Sequence, residues 1–391
     1  MRQNIIEKLR QIMAKRSLDA IVTSSPENFA YVTGFVVPTQ PLIRHRHAMV
    51  ILTANGHQGL FGVDMEASTI AQKAPDVDLT VWREFHDDPM RVLADALEKA
   101  GLAKSAIGLE MDYLPAGDFA RLQSFMPNAR FEAVEQDLSR ARQIKTPEEV
   151  ELIHRLSRIA DQAIYDSLSA VRAGDTELDI AAVLTRRIYE LGAENFKLLI
   201  IATGERSQLP NVGPTSRKLQ PRDVCRVEIF SVINGYQAGV CRTAYVEEPP
   251  PMAEEIWKLM VECKYRILDQ IKPGASCLAI YNDFIARLKT MNLPPISFVG
   301  HGIGLHLHED PYLGATPILG RPGEDAAIEE NMVRTSVLMG LQRCGRRGQA
   351  STASDRRRRG PREAAPSGFG TCRASAPARR RTGCARRGAA R

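Results

Sequence analysis

At 391 residues, with 44% apolar and 25% charged side chains, the chain has the length of two globular domains and the composition of an ordinary soluble protein. No run of about 18 uninterrupted apolar residues occurs, so no membrane-spanning helix is expected. The formal charge of +6 is unevenly spread: Arg334 to Arg391 holds sixteen arginines, no lysine and two acids, leaving 36 basic against 44 acidic residues in an acidic globular part.

The first stretch, "MRQNIIEKLRQIMAKR", sets Ile5, Ile6, Leu9, Ile12 and Met13 at helical spacing among charges. It lacks the apolar centre of a signal peptide, so a cytoplasmic protein is expected. The seven cysteines form no CxxC pair and no regular framework, and are read as buried or free thiols. Up to about Asp137 strand-like runs ("DAIVTS", "PENFAYVTGF", "AMVILTANG", "TVWREF", "AIGLEMD", "ARFEAVE") alternate with the helical "PMRVLADALEKAG" and "DFARLQSFM". This predicts an α/β domain over residues 1–143.

A long helix opens at "KTPEEVELI", with Thr146 as N-cap, Pro147 at the first helical position and Glu149 closing a capping box. A second α/β unit follows over 144–333, with helices around "LDIAAVLTRRIYELG" and "EEIWKLMVECKYRILDQI" and strands "FKLLIIAT", "VCRVEIFSVI" and "YQAGVCRTAYV". Between the last two strands, Asn234-Gly235 suits a two-residue hairpin turn with positive φ at both positions. That register sets Ile233 opposite Tyr236, Phe230 opposite Gly239 and Glu228 opposite Cys241. In "VEIF" Glu228 would be a costly lone carboxylate unless it faces a polar cavity.

From Arg334 the text loses apolar periodicity and is dominated by Arg, Ala, Gly, Ser and Pro. An arginine-rich arm of this density would bind nucleic acid by counterion release. Arginine without lysine fits GC-rich DNA read out of frame instead, so residues 334–391 are expected to be a disordered, out-of-frame tail and no nucleic-acid partner is expected.

Five pieces in order, "SPENFAYVTGF", "RQIKTPEEVELI", "RVEIFSVINGYQAGVCRTAYV", "FVGHGIGLHLHEDP" and "AIEENMV", make the chain resemble the pita-bread-fold family of creatinase, aminopeptidase P, prolidase and methionine aminopeptidase. The long helical junction is most similar to the Xaa-Pro aminopeptidase, prolidase and creatinase branch. The resemblance implies a creatinase-type N-terminal domain and a pita-bread catalytic domain, here lacking its last strands and leaving an open sheet edge. It also implies hydrolysis of a C–N bond, and a homodimer.

Metal-dependent members hold two divalent ions (Mn, Co, Zn or Fe) with two aspartates, a histidine and two glutamates. By resemblance the first aspartate falls on Glu228 and the histidine on His301, but the second aspartate falls on Gly239 and the first glutamate near Val337, neither of which can ligate. A dinuclear site is not expected; His301 and Glu228 would at most hold one ion weakly. Creatinase-like members work without metal, using a histidine in the segment that here reads "SQLPNVGPTSRKL" and carries Asn211. His301, the substrate-side His308, Glu228 and Glu309 remain as proton carriers. His306 has no role by resemblance and would share a strand face with His308 if that run is extended. Arg44 and Arg46, two apart before a strand, are candidates to clamp a substrate carboxylate, and Asn211, Tyr236 and Arg242 to line the cavity. The expected activity is on a proline-containing dipeptide or peptide, impaired or metal-free. The alternatives are a metal-independent amidinohydrolase or amide hydrolase of a small compound, and a non-catalytic small-molecule-binding protein.

Overall fold

The computed structural model describes residues 1–293, 295–315, 325–338, 350–354 and 371–372. In chain order the first half comprises α1 (Gln3–Arg16), β1 (Ala20–Thr23), α2 (Pro26–Thr33), β2 (Met49–Thr53), β3 (Gln58–Val63), α3 (Asp64–Lys73), β4 (Asp78–Trp82), α4 (Pro89–Lys99), β5 (Ala106–Leu109), α5 (Ala116–Phe125), β6 (Arg130–Ala133) and α6 (Glu135–Gln143). The sheet order is β4-β3-β2-β1-β5-β6, with β2 antiparallel to both neighbours and the other pairs parallel. All of β1 and β2 is buried, as strands covered on both faces must be.

The amphipathic start is α1, whose Ile5, Ile6, Leu9 and Met13 are buried. "PENFAYVTGF" is not a strand. Ser25 accepts the Asn28 backbone N–H, Pro26 stands in the first turn, and Gly34 ends α2 in the left-handed region. Its β-branched and aromatic residues gave a strand-like text, and the capping residues decide otherwise. Arg44 and Arg46 lie in the turns before β2, which starts only at Met49, so no strand face aligns them.

The junction helix α7 (Pro147–Ala170) carries the full Thr146/Glu149 capping box. Then come α8 (Glu177–Glu190), β7 (Asn195–Thr203), a 3₁₀ turn (Gly204–Gln208), β8 (Val224–Ile233), β9 (Tyr236–Val246), α9 (Ala253–Gln270), α10 (Cys277–Thr290), β10 (Phe298–Gly302) and β11 (Glu309–Gly314). The expected hairpin register holds at every position named, with Asn234 and Gly235 at φ 50° and 81°. Cys225, Cys241, Cys263 and Cys277 are buried thiols outside any disulfide.

The expectation of a sheet without closing strands is corrected. β12 (Arg334–Leu338) pairs with β10, β13 (Ala350–Ser354) pairs with β12 and touches β9 at Arg242, and β14 (Thr371–Cys372) pairs with β9. The second sheet therefore runs β11-β10-β12-β13-β9-β8-β7. A ladder is built from backbone N–H and C=O groups that nearly every residue supplies, so a segment with no apolar pattern can still continue one.

One apolar core runs from α1 and the first sheet through α7 and α8 to the β8–β9 hairpin, and a second fills the other face of the first sheet. A third lies under α9, α10, β10 and β11. The two domains thus share a core at their junction. No helix among the described residues is long and apolar enough to cross a membrane.

Candidate active site

Strand alternation sorts the hairpin into two faces. Ser231 donates to the Leu156 carbonyl of α7 at 2.7 Å and Arg242 pairs with Asp161 of α7 at 2.9 Å, so the face carrying Ser231, Arg242 and Tyr236 packs on that helix. Tyr236 is buried there, its hydroxyl 2.5 Å from both the Arg2 guanidinium and Glu149. The structure therefore places Tyr236 and Arg242 away from Glu228. Arg226, Glu228, Phe230, Gln237, Gly239 and Cys241 share the opposite face.

On that face Phe230 stands opposite Gly239, and a Cβ at Gly239 would lie 2.3 to 2.6 Å from the Phe230 ring. The aromatic ring fills the notch in which a second carboxylate would have to reach an ion. Burial pushes the Glu228 carboxyl up, with Arg226 pulling the other way, and burial likewise pushes the Cys241 thiol well up.

The glycine-rich loop after β10 crosses the same face. Gln237 donates its backbone N–H to the Gly304 carbonyl at 2.8 Å and its side-chain amide to the Leu305 carbonyl at 2.7 Å. This loop carries the histidines. The His301 and His308 rings stack 3.9 Å apart at 19°, with Phe298 edge-on to both. His301 is buried and its Nδ1 lies 2.7 Å from the Gly302 carbonyl, so that nitrogen is the donor and Nε2 carries the lone pair. Burial, helped by His308, holds it down to about 3, and burial also lowers His308, whose Nδ1 contacts the Tyr312 hydroxyl. Tyr312 is pushed up to about 12 by burial and Asp310, so it keeps its proton.

Residues 304–308 are bends, not strand, so His306 and His308 share a cavity instead of a strand face. The cavity, about 190 Å³ between the two domains, is lined by Glu27, Asp112, Glu135, Arg142, His306 and His308, among others. Glu309 also borders it but is fully engaged. Its carboxylate meets Lys145 Nζ at 2.6 Å and Arg142 Nε at 3.4 Å, and accepts the Leu305 and His306 backbone N–H groups at 3.2 Å each. Burial raises this carboxyl, but Lys145 and Arg142 outweigh it and hold it at about 2. Gly304 makes the insertion possible, since a Cβ there would lie 2.9 Å from Glu309 Oε2. Glu309 is geometrically an interdomain lock, fixed as an anion, rather than a carrier of protons.

Of the other expected residues, Arg46 is spent on a two-bond pair with Glu84 at 2.9 and 2.7 Å, and Arg44 is exposed. Asn211 is exposed beyond the 3₁₀ turn, in a segment gripped by Arg226. Sequence reasoning missed Lys145, Arg142, Arg226 and Tyr312. Lys145 stands inside the quoted "RQIKTPEEV", where only the cap was read.

Two divalent ions do not fit these residues. Stacked rings put their in-plane lone pairs in nearly parallel planes 3.9 Å apart, so in this arrangement one ion cannot lie in both. Gly239 offers no ligand atom, and no group of three or more His, Cys, Asp or Glu residues able to hold an ion exists among the described residues. Val337, opposite Ser351 in β12, also has no ligand atom.

Residues 151–342 match Metallopeptidase family M24, and residues 5–144 match the Creatinase/Prolidase N-terminal domain. Among similar proteins is the Xaa-Pro dipeptidase of Pyrococcus furiosus, 26% identical over 337 residues, 84% of this chain and 88% of that one. Another is the creatinase of a Bacillus species, 26% identical over 280 residues, 70% of this chain and 67% of that one. Among solved structures, the X-Pro aminopeptidase of Thermotoga maritima superposes with a TM-score of 0.75 at 22% identity, covering 89% of this chain and 93% of that one. The prolidase of Pyrococcus horikoshii superposes with 0.74 at 22% identity, covering 90% and 94%.

Proposed function

Because the chain belongs to metallopeptidase family M24 and carries a Creatinase/Prolidase N-terminal domain, we propose that it hydrolyses a C–N bond in a small amide, guanidino compound or proline dipeptide by acid-base chemistry without a metal pair. The observation that carries this reading is His308, stacked on neutral His301, bonded to the Tyr312 hydroxyl and opening on the interdomain cavity. A neutral imidazole in that position accepts a proton from water as the water oxygen bonds to the substrate carbon. It returns the proton to the nitrogen as the C–N bond breaks. Tyr312 orients the ring and His301 backs it.

The cavity suits a compound no larger than a dipeptide, and its acidic wall favours an amine or guanidino end. Burial, Glu110 and Glu135 together push the Asp112 carboxyl up, the signature of acid without enough countercharge. Asn211 and the locked Glu309 favour a second reading, a protein that binds such a compound without turning it over.

The test is product analysis on proline dipeptides and creatine-like amides, with chelator and with added Mn²⁺. The expected result is turnover indifferent to both and lost in His308→Ala. Turnover abolished by chelator and restored by Mn²⁺ overturns the metal-free reading. Binding without turnover favours the binding protein.

A further inference from the structure

Arg226 is the largest of the fully buried side chains, at 1% exposure, and it stands near the start of β8, a strand inside the sheet. A buried cation is costly unless paired. Among the described residues it forms no ion pair. Burial lowers the guanidinium, opposed by Cys241 facing it from β9 and by Glu228, two residues on and on the same face. What Arg226 does contact is backbone. One terminal nitrogen donates to the Leu209 carbonyl and, at 2.5 Å, to the Pro210 carbonyl, while Nε has no hydrogen-bond partner.

Those carbonyls belong to the segment that leaves β7 and returns to β8. At its root the segment is held by Glu177, fully buried, which accepts the backbone N–H and hydroxyl groups of Thr203 and Thr215 at 2.7 to 2.9 Å. At its tip the hold comes from Arg226. Pro210 has no N–H with which to pin itself, so at that residue the turn is held through its carbonyl.

We propose that Arg226 is a positioning residue: its buried guanidinium draws the Leu209–Pro210 turn down onto the β8 face it shares with Glu228 and so sets the position of Asn211, the next residue. The role given to Asn211 rests on the hydrolase reading above. The anchoring does not, and can be read without turnover. Lysine would not replace the arginine, because its ammonium ends about one bond short of the nitrogen that meets both carbonyls.

Hydrogen exchange reads the segment directly through two amides bonded within it, Leu209 to the Arg206 carbonyl and Ile201 to the Val212 carbonyl, at 2.9 and 3.3 Å. In Arg226→Ala both amides should exchange at least about tenfold faster, and about 10 mM methylguanidinium should restore protection where methylammonium does not. Restoration of this kind distinguishes a guanidinium-specific anchor from general loss of packing. Unchanged exchange overturns the proposal, as does faster exchange that methylguanidinium fails to reverse. If Arg226→Ala does not fold, Arg226→Lys decides: faster exchange at both amides with the rest of β8 protected supports the anchor, and wild-type exchange overturns it. If the chain also turns over, the Arg226→Ala enzyme should show a raised KM that methylguanidinium lowers.

Discussion

Glu309 and Glu228 belong to one sheet and are both drawn out of water, yet their surroundings treat them oppositely. Glu309 meets a lysine, an arginine and two backbone N–H groups, and is held ionised at about 2. Glu228 meets no ion-pairing partner among the described residues, and burial pushes its carboxyl up. Two glutamates in one domain thus divide into a lock and a titrating group, according to whether cations come close enough to repay desolvation. The lock also joins the family's dispersed pieces. Lys145 donates its backbone N–H to Asn331, Arg142 reaches Asn28, and Asn28 shares Glu110 with Ser25.

The largest effect should follow from breaking the lock. Lys145→Met leaves the buried Glu309 charge with half its countercharge and should cost about 3–5 kcal/mol in urea denaturation, with Glu309→Gln added in the same chain recovering part. In the wild type the lock's contribution is present above the unfolded value of 4.5 and is lost as pH falls toward about 2. An acid titration of the urea midpoint that looks the same in Glu309→Gln would remove Glu309 from the comparison.

Next, filling the notch by Gly239→Ala should cost about 1–3 kcal/mol by driving a methyl into the Phe230 ring. Gly239→Asp should create no Mn²⁺ binding by calorimetry. Phe230→Ala in the Gly239→Ala background should relieve the clash.

A smaller effect of opposite sign is expected at Glu228. A raised carboxyl contributes stability that is full below its ordinary value of 4.5 and fades as pH rises through its folded value. Glu228→Gln should therefore leave the urea midpoint unchanged in acid and raise it at pH 8, by about 1 kcal/mol or less. A fall at pH 8 would mean that Glu228 is paired after all.

A change of similar size is expected on the far face. Tyr236→Phe should cost about 1 kcal/mol through the lost Arg2 and Glu149 bonds and leave turnover unaltered. A change in KM would return Tyr236 to the cleft.

Much of the fold was legible because local chemistry is strong where the chain turns. The Asn234-Gly235 turn determines the whole β8–β9 register, and Thr146, Pro147 and Glu149 announce α7. The same logic misleads at "PENFAYVTGF", where strand-like residues sit behind a Ser-Pro helix start. At the site, the sequence nominated His301 and His308 together and the structure stacks them. It nominated Tyr236 for the cleft, although its position in the register, an odd number of residues from Gly239 and Cys241, already assigns it to the other face.

By itself the sequence determined that Gly239 and Val337 bring no side-chain ligand atom, wherever they lie. It also determined the family's ordered motifs and the hairpin that aligns Phe230 with Gly239. Only the tertiary structure decided what the remaining charges do. Lys145 and Arg142 come from the domain junction to fix Glu309, and Arg226 turns to backbone carbonyls more than a dozen residues away. The reason is physical. A carboxyl's proton and an arginine's partners depend on the solvent excluded and the charges brought within a few ångströms, and those distances exist only after the chain has folded.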